Sequence, residues 1–171
     1  LLRNSVLAEI GLLDDVFFAH MEEIDLNWRM HLAGYCVMAV PQSRVYHQAG
    51  STLHAASPHK TYLNHRNGLF LLLKNYAALP LCFIFPLRLA LDVIEAARLL
   101  ALLRVRHALM VARALGEVLW RLPELLRRRR GSQAICRVAP ATMRRKFYAR
   151  SLIWDYFIRR RTRYSELPLR S

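Results

Sequence analysis

The chain has 171 residues, 54% of them hydrophobic, and a formal net charge of +14 at pH 7. That length holds one ordinary domain or pieces of two. No charged-then-apolar signal peptide opens it, and Cys36, Cys82 and Cys136 are too far apart for a metal-binding spacing, which fits reduced thiols in a cytosolic compartment.

The first stretch, residues 4–10, reads as a short helix with Asn4 or Ser5 as cap and Gly11 as stop. Leu12, Leu13, Phe17 and Phe18 are most simply core residues. A second helix runs from about Met21 to Ala33, with Leu26, Met30 and Ala33 on one face, and Gly34 closes it. Glu22, Glu23 and Asp25 lie in its first turn, where the macrodipole favours carboxylates by about 0.3–1 kcal/mol each. Trp28 is most simply a packing residue. Two strand-like runs follow, Tyr35–Val40 and Arg44–His47, split by Pro41-Gln42-Ser43. After the polar loop Ser51–Pro58, the segment Lys60–Tyr76 reads as a helix opened by Ser57 and Pro58. Arg66 lies on this helix, most simply as part of a solvated polar face.

Residues 1–75 hold six Lys/Arg and six Asp/Glu, so the whole +14 falls on residues 76–171. Such asymmetry points to an anionic partner, a membrane or a nucleic acid. The uncharged run Asn75–Leu87 is 13 residues long, short of the roughly 20 apolar residues that a spanning helix needs. Beyond it, Arg88, Asp92, Glu95, Leu99, Leu102, Arg106 and Arg113 fall near one helical face and Leu89, Ile94, Leu100 and Ala108 on another. This is the pattern of an amphipathic system lying on a membrane. Arg113–Leu126 continues it, with a late break at Pro123. Arg127, Arg128, Arg129 and Arg130 then suit anionic lipid headgroups, and Gly131-Ser132 reads as a stop. In the tail, Trp154 and its aromatic neighbours beside Arg159–Arg161 look like an interfacial anchor. A nucleic-acid-binding module working through these arginines is an alternative, but no motif or aromatic-interleaved basic platform supports it. A non-catalytic basic membrane-binding protein is the other. The organisation expected is a front part (1–75), an amphipathic helical region (76–131) and a basic aromatic tail (132–171).

One ordered series stands out in the front part: G-x-x-D-x-x-F-F from Gly11, Glu-Glu-x-Asp-Leu from Glu22, Arg29, Gly34-Tyr35, Pro41 and V-x-H-x-x-G ending at Gly50. It resembles the C-terminal half of the catalytic domain of family 2 inverting glycosyltransferases, over Arg3 to about Asn75. The resemblance implies an α/β fold, the acceptor-binding half of a GT-A domain, followed by the α-helical membrane-associated region. It implies inverting transfer from a nucleotide-sugar donor to a glycan or polyprenyl-linked acceptor, in cell-surface polysaccharide synthesis. It also implies Glu23 as general base beside Glu22 and Asp25, and His47 as a ligand of a divalent metal (Mg or Mn). Asp15, Trp28, Arg29, His65, Arg66 and Asn67 become candidate substrate-binding residues, the last two because the family often carries Tyr…Arg-Asn here, matched by Tyr62, Arg66 and Asn67. The Glu-Asp pair usual in the family reads Glu22-Glu23 in this chain, which keeps the carboxylate on a longer arm. The family's Asp-x-Asp motif is absent from these residues, so a C-terminal fragment, inactive alone, is expected. The expected location is peripheral, on the cytoplasmic face of the inner membrane.

Overall fold

The computed structural model describes residues 2–44, 46, 56–148, 150 and 152–167. Every regular element among them is helical: α1 (Asn4–Ile10), α2 (Glu22–Leu32), α3 (Pro58–Asn75), α4 (Ala78–Ala101), α5 (Val105–Trp120), α6 (Leu122–Ala134), α7 (Pro140–Arg145) and α8 (Leu152–Phe157), with 3-10 turns at Asp15–Phe17 and Tyr164–Glu166. Two compact units divide the chain, Leu1–Cys136 and Arg137–Ser171.

This overturns the α/β GT-A expectation. Helix accounts for 69% of the described residues and strand for none, which leaves no sheet to build on. Tyr35–Val40 has the apolar content of a strand, yet Met38 and Val40 are exposed and the segment has no ladder partner. A strand is stable only when paired and packed, and no other extended segment lies alongside among the described residues. Val45 and His47, within the second expected strand, and most of the loop Ser51–Pro58 lie outside the described residues.

The α3 helix is the centre of the first unit. It packs on α5, α6, α4, α2 and the 3-10 turn at Asp15–Phe17, and it is buried almost all round, from Tyr62 and Leu63 through Leu69, Phe70 and Leu71 to Leu73. A helix covered on every side must be apolar or internally paired on every side, and α3 does both. Its last carbonyls are capped by another helix: Arg129 donates to Leu73 O at 2.8 Å and to Tyr76 O at 2.6 Å, and Gln133 donates to Asn75 O at 3.1 Å. These are the groups that a helix C-terminus leaves without internal partners.

Around α3, α1 and α2 share a small core of Val6, Ile10, Leu26, Met30 and Ala33. The cap of α1 is Arg3, without a side-chain hydrogen bond, rather than Asn4 or Ser5, and Gly11 ends it at φ +81°, a conformation glycine adopts at low cost. Tyr62 and Leu63 pack on Ala114 of α5, and Leu99 of α4 packs on Ala108 and Val111. The turn Leu102–Arg104 folds α5 back on α4.

The α4 helix continues through Pro86 on its exposed side. Two boundaries differ from the sequence reading. The break expected at Pro123 falls at Arg121, with the proline in the first turn of α6, where its missing N–H costs nothing. Gly131-Ser132 does not stop α6, which runs on to Ala134. In the second unit, Asp155 of α8 gathers Tyr148 Oη at 2.8 Å, Arg161 at 3.2 Å and Arg159 at 3.4 Å. The hydrogen bond from Tyr148 and the two arginines hold its carboxyl below the ordinary aspartate range. The three cysteines are exposed.

Candidate functional site

The backbone between Phe17 and Glu22 is the most strained segment described. Phe18 has φ 62° and ψ −61°, and Ala19 N donates to Phe17 O at 2.7 Å across it. That is a γ-turn of the rare positive-φ form. His20 and Met21 also have positive φ, 66° and 74°, so three non-glycine residues out of four take conformations that L side chains disfavour. Each costs on the order of 1–3 kcal/mol, and such geometry persists only where surrounding structure imposes it.

The imposing structure is Arg66-Asn67 of α3. Asn67 is fully buried, and its Nδ2 reaches Phe17 O at 3.0 Å, Ala19 O at 2.7 Å and His20 O at 2.7 Å. Arg66 donates to Val16 O at 2.8 Å and Phe17 O at 3.0 Å, and its Nε is fixed by Asn67 Oδ1 at 2.9 Å. Glu117 of α5 holds the far side of Arg66, and it also accepts from Tyr62 Oη. The Tyr…Arg-Asn element is therefore a clamp on the turn before α2, and both Arg66 and Asn67 are consumed by backbone carbonyls.

The clamped turn delivers the carboxylates. Glu23 is exposed, with no hydrogen bond or ion pair among the described residues. Glu22 is half-buried, and its Oε2 is shielded from solvent without a described partner, as is Nε2 of His20 two residues earlier. Buried polar atoms left unpaired are uncommon in folded proteins, and two of them fall at the mouth of α2. Met21 caps α2 without a side-chain bond, so Glu22, Glu23 and Asp25 are the acids that answer the helix dipole there.

Asp25 points the other way. It is fully buried and receives Arg29 Nε, Lys74 Nζ and Asn75 Nδ2, each at 2.8 Å. Arg29 also donates to the carbonyls of Ile10, Gly11 and Leu12, which ties the end of α1 to α2. Lys74 is shared with Asp14, which Arg128 of α6 also pairs. Burial alone would raise the Asp14 carboxyl, but Lys74, the Val16 amide and Arg128 together hold it below the ordinary value. Beside this network a shallow cavity of about 550 Å³ is lined by Glu9, Asp14, Asp15, Arg128 and Ser132.

The remaining candidates scatter. Asp15 is exposed and lies 3.1 Å from Arg128. Trp28 is buried, edge-on to Tyr76 with ring centroids 5.0 Å apart. His65 Nδ1 meets Asp92 Oδ1 at 2.8 Å. Arg127 and Arg130 are exposed while Arg128 and Arg129 turn inward, because successive helical residues step by about 100°. Trp154 is exposed on α8. His47 lies outside the described residues, and among the described residues no group of three or more His, Cys, Asp or Glu is placed to hold a metal. Lys74, Asn75 and Glu117 escaped the sequence reading. The signal for Lys74 was a cation directly after the apolar run Leu69–Leu73.

No family profile matches the chain, and no solved structure does. The chain does contain a glycosyltransferase-like region. Over 70 residues it is 37% identical to the N-acetylglucosaminyl-diphospho-decaprenol L-rhamnosyltransferases of two Mycobacterium tuberculosis strains, CDC 1551 / Oshkosh and ATCC 25618 / H37Rv. The match takes in 37% of this chain and spans 23% of the length of those curated relatives.

Proposed function

We propose that this chain is part of a family 2 inverting glycosyltransferase in which Glu23 is the general base. The reaction moves a sugar from a nucleotide-sugar donor to a hydroxyl of a glycan or polyprenyl-linked acceptor, in the synthesis of a cell-surface polysaccharide. The observation that carries the proposal is the mouth of α2. A strained turn clamped from a distant helix, two shielded unpaired polar atoms and one exposed carboxylate coincide there. Stability is being spent at that place, and strain of this kind concentrates at functional sites. The similarity to rhamnosyltransferases over 70 residues supports sugar transfer as the reaction class.

In the proposed step, a Glu23 oxygen accepts the proton of the acceptor hydroxyl as the hydroxyl oxygen bonds to the anomeric carbon. The bond from that carbon to the diphosphate oxygen breaks on the opposite face, so the configuration inverts and the nucleoside diphosphate leaves with the electron pair. Base position matters before base strength in such a transfer, and fixing that position is what Arg66 and Asn67 contribute. The divalent cation, with His47 as a ligand, belongs to the proposal through the family resemblance alone, and no step above runs through it.

In the enzyme that contains this chain, Glu23→Gln should lower kcat by about 100-fold or more with donor affinity nearly unchanged. Glu22→Gln should be milder. A crippling Glu22→Gln beside a mild Glu23→Gln would move the base to Glu22, and full activity in both variants would end the catalytic reading.

A further inference from the structure

The α4 helix is built inside out. Its charged residues Arg88 and Asp92 face the protein: Asp92 is buried, and it accepts from Arg88 Nε at 2.9 Å and meets His65 of α3 at 2.8 Å. The Arg88 guanidinium lies close to α3, where a β-carbon on Gly68 would stand 3.0 Å from it, so glycine leaves room for that group. Apolar residues line its outward side, while Leu99 is buried against α5. Leu79, Phe83, Leu87, Leu91 and Ile94 recur at intervals of four and three along one side, between 45% and 74% exposed. Among the charged residues of α4, Arg98 is exposed, Glu95 and Arg88 are about a third exposed (34% and 30%), and the exposed remainder is apolar.

Scattered exposed leucines are ordinary, but a contiguous apolar stripe marks a surface that something covers. This stripe is long, since 24 residues rise about 36 Å at 1.5 Å each. Charge tells which partner fits. At the C-terminal end of the stripe, Arg98, Arg104 and Arg106 are exposed beside Leu102 and Leu103. Glu95 is the acid nearest to them in sequence, and it is occupied by Arg98 at 2.7 Å. A second copy would set +14 against +14, and a two-fold contact would bring like arginines towards their own images. An anionic bilayer accepts both the leucines and the arginines. No helix among the described residues is long and apolar enough to cross a membrane, so the contact is one of lying on the surface.

We infer that the outward face of α4 is a bilayer-docking surface, with Leu79, Phe83, Leu87, Leu91 and Ile94 entering the acyl boundary and Arg98, Arg104 and Arg106 meeting anionic headgroups. The inference stands apart from the catalytic reading, because no residue in it belongs to the mouth of α2.

The test is flotation of the enzyme that contains this chain with vesicles of phosphatidylcholine and phosphatidylglycerol, comparing the parent with Phe83→Ser/Leu87→Ser. The altered side chains are exposed, so circular dichroism and the melting temperature should hold. Partitioning should weaken roughly tenfold or more, and high salt should weaken the parent only in part. Should the double variant misfold, Leu87→Trp replaces it, and its emission should shift to the blue and be quenched by brominated acyl chains. Unchanged partitioning of a folded variant, or a tryptophan that brominated lipid does not quench, would overturn the inference. So would a parent that fails to float, or a parent dimer that the same substitutions dissociate.

Discussion

Replacing Lys74 by methionine tests whether the buried network of α2, α3 and α6 holds the first unit together. The ammonium is 4% exposed, bonds Asp25 at 2.8 Å, pairs with Asp14, and lies 5.5 Å from the centre of the Phe17 ring. Methionine keeps the length and the apolar stem but removes the charge. Breaking a buried ion pair costs about 3–5 kcal/mol because the abandoned partner keeps its desolvation penalty. Here Asp25 retains Arg29 and Asn75, and Asp14 retains Arg128 and the Val16 amide, so the low end, about 3 kcal/mol, is expected. For a chain of this size that lowers Tm by roughly 6–12 °C. Urea unfolding followed by circular dichroism should show a lower midpoint with an unchanged slope. Asp25→Asn in the Lys74→Met background should cost less than Asp25→Asn alone, giving a coupling of about 1 kcal/mol or more between contacting partners. A Lys74→Met effect within about 0.5 kcal/mol, the range of neutral surface changes, would refute the reasoning.

Two further outcomes follow from the same network. The folded pKa of Asp14 is depressed, so its stabilising contribution is present above the unfolded value of about 3.9 and is lost as pH falls through the lower folded value. Asp14→Asn should therefore flatten the acid limb of a stability–pH curve measured by urea midpoints, and an unaltered limb would show that other carboxylates set it. Among the four arginines, Arg127→Gln and Arg130→Gln should leave stability within about 0.5 kcal/mol, whereas Arg128→Gln and Arg129→Gln should each cost about 1.5–3 kcal/mol through lost charge-assisted hydrogen bonds, again read from urea midpoints.

The helices of the front part were legible because their punctuation is local: Gly11, Gly34 and the Ser57-Pro58 start act on their own neighbours. What depends on distant residues was not. Tyr35–Val40 has strand composition, but composition cannot report whether a second extended segment will lie beside it. Periodicity showed that α4 has two faces, with Arg88 and Asp92 on one and Ile94 on the other, but not that Asp92 would be buried against His65 of another helix. The arginine run read as one cationic patch, yet helical rotation splits it between solvent and the α3 carbonyls. At the candidate site, Glu23 was visible from its motif. The function of Arg66 and Asn67 as a clamp was hidden, since it depends on carbonyls about fifty residues earlier.

That separation sets the order in which the molecule can assemble. A γ-turn at Phe18 is unfavourable for an isolated segment, so it waits until the helix bearing Asn67 has formed and a long loop has closed, at an entropy cost that grows with loop length. The mouth of α2 should then be among the last features to form and the first to be lost. Partial opening that frees Phe17–Glu22 from Arg66 and Asn67 would relax the turn while α3 and its packing on α5 persist, as happens when cooperative units open below the global free energy. Solvent conditions that leave the bulk of the helix signal intact could already have dismantled the place where the carboxylates are presented.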